Sequence, residues 1–185
     1  MKPLRSCLAG ALLLASSAAW TSESASQSYE SCSVITSEYL TVLQLASRGL
    51  NAEALKQSLP GISSKAKQRV ETLVGMAQQR GIAEAYSAVH SEYARCAKKV
   101  FDQRGLPAEG TREAHFHYCA GENKVRYEII LAAAIGAEEQ EVIDQVRPVH
   151  RDAAEAIFAM NEQTSPEAML DQLATELKEC ISQRP

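Results

Sequence analysis

Aromatic residues make up only 5% of the 185 positions, with a single Trp, and just 9 Gly and 6 Pro occur. So little Gly and Pro excludes collagen-like and Pro/Gly-rich disordered chains, and so few aromatics leave a pleated sheet short of its usual material. The Gly-x-Ser-x-Gly elbow, the phosphate-binding glycine loop, the dinucleotide fingerprint and His-Glu-x-x-His are all missing. The local signatures of serine hydrolases, nucleotide-binding folds and zinc peptidases go with them. No segment beyond the first twenty residues has the apolar length of a membrane span. Alanine, by contrast, occupies 29 positions within a hydrophobic fraction of 45%. That is enough apolar material for a core, and it favours closely packed helices, so the expected class is all-α.

The first residues read as an export signal. Lys2 and Arg5 precede an apolar run from Leu8 to Ala19, and Ser17-Ala18-Ala19 has the small side chains of a cleavage site. Residues 1–19 are expected to be removed, Cys7 with them, leaving a short flexible arm over 20–28. The remainder then carries 17 basic and 23 acidic side chains, a net charge of −6. That balance gives no general attraction to nucleic acid or anionic lipid, and no membrane insertion is expected. The expected location is the periplasm or the exterior.

Four cysteines follow the signal: Cys32, Cys96, Cys119 and Cys180. An even number in an oxidising compartment points to bridges, and three pairings are possible. Self-comparison selects one of them. The intervals Cys32 to Cys96 and Cys119 to Cys180 are similar, Gly49 and Gly136 follow the first cysteine of each by the same distance, and Pro60 and Pro148 come next. Counting back from the closing cysteines aligns Glu71 with Glu155, Met76 with Met160 and Glu92 with Glu176. These landmarks predict two tandem copies of one stapled unit, residues 29–104 and 112–185 joined by a linker over 105–111. Each copy is expected to close its own bridge, Cys32 to Cys96 and Cys119 to Cys180, and so to be stapled independently.

Periodicity predicts three main helices and one short helix per copy. The first spans about Tyr29 to Arg48, with Ile35, Tyr39, Val42 and Ala46 on one face, and Gly49 ends it. Asn51 caps a short helix through Ser58, and Pro60-Gly61 breaks the chain. Ser63 or Ser64 opens a third helix, and Gly81 separates it from a fourth carrying Tyr86, Val89, Tyr93, Cys96 and Val100. In the second copy Thr111 caps a helix to Ile135, an acidic helix covers Ala137 to Val146, and a third runs from Ala153 to Met160. Ser165-Pro166-Glu167 then starts a helix with a buried stripe of Met169, Leu170, Leu173, Leu177 and Ile181.

Potential ligands cluster at His115-Phe116-His117-Tyr118-Cys119, with Glu113 and Glu122 nearby. On a helix the two imidazoles point about 200° apart, and Cys119 is assigned to a bridge. A metal would need ligands from elsewhere, such as His90 or His150, so no cofactor or metal is expected and an exposed first turn with aromatic contacts is the preferred reading. Glu138, Glu139, Glu141 and Asp144 form a charged helix that reads as a solvated face or a surface steering a basic partner. Lys65, Lys67 and Arg69 form a short basic stretch beside Glu71 that reads as a solvated helix start in preference to an anion site, and Lys98-Lys99 with Arg104 complement a helix dipole.

Cys32, Arg48-Gly49, Pro60 and Cys96 together resemble the small exported, disulfide-bonded helical proteins of Gram-negative bacteria, a group that includes periplasmic immunity proteins. In the second copy Ile135 stands where that pattern has arginine. The resemblance implies a helical scaffold acting through protein contacts, as an immunity factor, inhibitor or accessory subunit, and carries over no functional residue. With no catalytic constellation in the chain, an interaction protein rather than an enzyme is expected. The alternative is a metal-binding exported protein or enzyme using His115 and His117.

Overall fold

Short polar side chains open five of the helices, and glycines follow several of their ends, in a computed structural model that describes residues 27–59 and 61–183. The signal segment, most of the 20–28 arm and the break at Pro60 lie outside the described residues. Eight helices follow in order: α1 (Tyr29–Ser47), α2 (Ala52–Ser58), α3 (Ser64–Arg80), α4 (Ile82–Arg104), α5 (Arg112–Ala134), α6 (Glu139–Gln145), α7 (Arg151–Asn161) and α8 (Pro166–Ser182). Among the described residues there is no strand. Asn51, Ser63, Thr111 and Ser165 each accept the backbone N–H three residues on, and Ser28 forms a reciprocal capping box with Ser31. Gly49 and Gly136, at φ of 95° and 78°, take the left-handed conformation after α1 and α5.

Before α7 the chain winds through a 3₁₀ turn, Pro148–His150, so that helix begins at Arg151 instead of Ala153. Proline presets the helical φ at a first position, and the turn therefore runs straight into the helix. A second difference concerns α1. Val42 of the expected face is buried, but Ile35 is 46% exposed, and the other buried positions are Tyr29, Cys32, Ser33, Thr36, Ser37, Leu40, Leu43 and Gln44. Small hydroxyl residues face inward there because their polar groups are already satisfied: Ser33 Oγ lies 2.8 Å from both the Tyr29 and Phe116 carbonyls, and Thr36 Oγ1 donates to the Cys32 carbonyl. Such side chains let α1 and α5 approach closely without an orphaned polar atom.

Two bridges tie helix starts to helix ends, Cys32 on α1 to Cys96 on α4 and Cys119 on α5 to Cys180 on α8, each with Cα atoms 5.8 Å apart. The halves nevertheless share their interior. Leu40, Leu43, Tyr86 and Val89 belong to the same buried cluster as Tyr127, Ile130, Met169, Leu173 and Leu177. Polar contacts reinforce this seam: Gln44 Nε2 donates to the Asp171 carbonyl at 2.6 Å, Arg48 pairs with Asp171 at 2.9 Å and Arg112 with Glu30 at 2.9 Å. Val42, Leu55, Val70 and Val74 form a smaller cluster where α2 clamps α1 to α3. No helix among the described residues is long and apolar enough to cross a membrane.

Candidate functional site

The histidine cluster of α5 is divided between two seams. His115 Nε2 donates to the Cys180 carbonyl at 2.8 Å and lies 3.7 Å from Cys119 Sγ. With Cys180 these groups fall within 4.8 Å of one another. Both sulfurs, however, are committed to the S–S bond, and it is the thiolate that ligates metals. His117 turns the other way: its ring stands 4.3 Å from that of Tyr29, and its Nδ1 lies 3.0 Å from the Tyr93 hydroxyl. That hydroxyl also lies 3.1 Å from the His117 carbonyl, a second acceptor for its single proton. Burial holds the His117 imidazole below its usual range and pushes the Tyr93 phenol up, so the phenol keeps its proton.

The other two histidines join different neighbours. His150 accepts from Arg147 Nη2 at 2.9 Å and presents Nδ1 to Glu122 at 3.4 Å. His90, only 2% exposed on α4, stacks on Tyr127 with ring centres 4.3 Å apart. Neither of its ring nitrogens meets a partner among the described residues, and burial, aided by the Lys124 charge, pushes its pKa down to about 3. The structure thus brings neither His90 nor His150 into the set formed by His115, Cys119 and Cys180.

Glu138, Glu139, Glu141 and Asp144 are all exposed around α6. The helix is seated by Val142, Ile143 and Val146, which pack on the core, while its acids face outward. Asp144 accepts from Gln140 at 3.0 Å, and none of the four acids forms an ion pair among the described residues. Exposed apolar side chains flank the acidic segment: Ile135 is 77% and Val149 75% accessible. A surface of unpaired carboxylates beside apolar anchors can steer a basic partner and then bury area against it.

Two grooves complete the surface. One of about 760 Å³ lies between α1, α3 and α4, and one of about 240 Å³ lies between α5, α7 and α8. Sequence reasoning missed the first because its basic residues come from distant segments, Lys65 and Arg69 on α3 and Arg95 and Lys99 on α4. The available signal was the four-residue spacing within each pair, which puts both members on one helical face. No family model, curated protein or solved structure matches the chain.

Proposed function

We propose that this chain is an exported binding protein that acts by contact with another protein, as an immunity factor, inhibitor or accessory subunit. One observation carries the reading: four exposed carboxylates around α6, with no ion pair among the described residues, between the exposed Ile135 and Val149, on a short helix anchored to a doubly bridged scaffold. A rigid scaffold lowers the ordering cost of association, and like charges concentrated at one place raise the rate of encounter with a basic surface. The bridges and the charged, apolar start of the chain support export into an oxidising compartment.

The scaffold itself is proposed to be two copies of one unit. Supporting this, α2 and α6 each have 7 residues and follow Gly49 and Gly136 at the same distance, and the two bridges join equivalent helices with equal Cα separation. Immobilised wild-type protein is expected to retain a protein from periplasmic extract that a Glu138→Lys, Glu139→Lys, Glu141→Lys variant retains poorly. With the purified partner, the variant's association rate is expected to fall by roughly tenfold at low salt, the gap closing as salt is raised. Equal association rates, or no retained protein at all, would end this reading.

A further inference from the structure

The groove between α1, α3 and α4 has chemistry that the scaffold does not demand. α1 and α3 meet where Val42, Val70 and Val74 pack with Leu55, and toward their N-terminal ends they flank an opening over the second half of α4. Val89, Tyr93 and the Cys32–Cys96 bridge line it, with Ile35 and Tyr39 on the α1 side. Four cations, Lys65, Arg69, Arg95 and Lys99, face two acids, Glu38 and Glu92. Glu92 is already engaged by Arg69 at 2.6 Å. Lys65, Arg95 and Lys99 form no ion pair among the described residues, and the buried Nε–H of Arg69 meets no acceptor there. The Arg69 guanidinium also lies over the Tyr39 ring, 5.8 Å from its centre, so it is held from two sides.

The equivalent groove of the other half is a comparison within one molecule, and it rests on the two-copy reading proposed above. Val149, Ala153, Glu179 and Gln183 stand where Lys65, Arg69, Arg95 and Lys99 do, and Arg126 neutralises Glu176 at 2.9 Å. The same helical frame is therefore built without the cations. Whole-chain charge, net acidic, conceals this basic cluster.

We infer that the α1–α3–α4 groove binds a single-chain amphiphile with an oxyanion head, a carboxylate or a phosphate ester. The chain lies along Ile35, Tyr39 and the bridge, and the head is taken by the exposed Lys65 and Lys99. A volume of about 760 Å³ falls in the range of small-molecule sites, roughly 300–1,000 Å³. An oxyanion supplies the countercharge for the exposed Lys65 and Lys99.

Dansyl-labelled undecanoate tests this on the full chain. Wild-type protein is expected to give saturable, blue-shifted emission, and Lys65→Glu with Lys99→Glu, both at exposed positions, to weaken binding by about tenfold or more. Arg95→Gln is expected to weaken it less, and Arg80→Glu with Lys178→Glu, outside the groove, to leave it unchanged. Dodecanoate and dodecyl phosphate compete, and the stronger competitor identifies the head. The inference is overturned by absence of saturable emission, by unchanged affinity in the Lys65/Lys99 variant, or by equal competition from dodecanol. Displacement by an amphipathic leucine–glutamate peptide but by neither dodecanoate nor dodecyl phosphate overturns it too, and assigns the groove to a protein segment. None of these outcomes depends on the α6 surface, so the partner-binding reading stands or falls separately.

Discussion

His90 sits deep in the seam between α4 and α5 with its ring against Tyr127 and both nitrogens unengaged. Such a group is tolerated while neutral, because burial opposes its charged form. In the unfolded chain it takes up a proton near its ordinary pKa of about 6.5, whereas in the folded chain it resists protonation until about pH 3. The unfolded state therefore binds more protons throughout that window, and stability falls as pH falls, by about 2 kcal/mol between roughly pH 6.5 and pH 5 from this residue alone. His90→Phe keeps the stack and removes the proton. Urea titrations should find its stability less sensitive to acid over that range than wild type; parallel loss in the two proteins would show that His90 does not contribute. The sequence named His90 only as a metal ligand that could come from outside the α5 cluster, because whether a buried ring finds partners depends on the helix across from it. The separation of His115 from His117 was easier to anticipate, since helical geometry alone turns adjacent odd positions to different sides.

Helix ends are the most legible elements because their signals are local. Asn51, Thr111 and Ser165 cap within three residues, and Gly49 and Gly136 end α1 and α5, with no need of tertiary information. At Gly136 a built Cβ meets nothing within 4 Å, so replacing it tests backbone conformation without steric complication. Gly136→Ala should lower stability by about 1 kcal/mol, and Gly136→Asn, which accepts the left-handed region more readily, by less. A denaturant midpoint unmoved by alanine would mean that this residue does not need its positive φ. The inward face of α1 was legible only in part: of Ile35, Tyr39, Val42 and Ala46, Val42 is buried and Ile35 exposed, and the helix, surrounded by α3, α4, α5 and α8, buries serine and threonine as well. The basic groove escaped notice for a related reason, since its two pairs meet only when the start of α3 lies beside the end of α4.

In the whole molecule, covalent and non-covalent organisation divide the chain differently. Each bridge closes within one half, with sequence separations of 64 and 61, and loops of that size stabilise by on the order of 4 kcal/mol in the chain-entropy model. Buried residues of the two halves nonetheless form one cluster, so the halves are not independent in packing. Replacing Cys119 and Cys180 by serine should lower the melting temperature while calorimetry still records one transition; two separated transitions would show halves that fold alone. All-helical class was readable from alanine and periodicity, but the side-by-side packing of α1 and α5 was not, because it depends on which faces of those helices meet. Tension applied at Cys32 and Cys180 finds the bridges a short route through the chain. Force crosses directly from Cys32 to Cys96 and from Cys119 to Cys180, so only the stretch from Cys96 to Cys119 can be drawn out, to about 90 Å where an unbridged chain would reach about 500 Å. The α6 surface and most of the helices lie in the two loops that carry no load, whereas the groove has Lys99 and the Cys32–Cys96 bridge on the loaded route, and a pull that straightens the stretch between the bridges leaves each loop's ends where the sulfurs hold them.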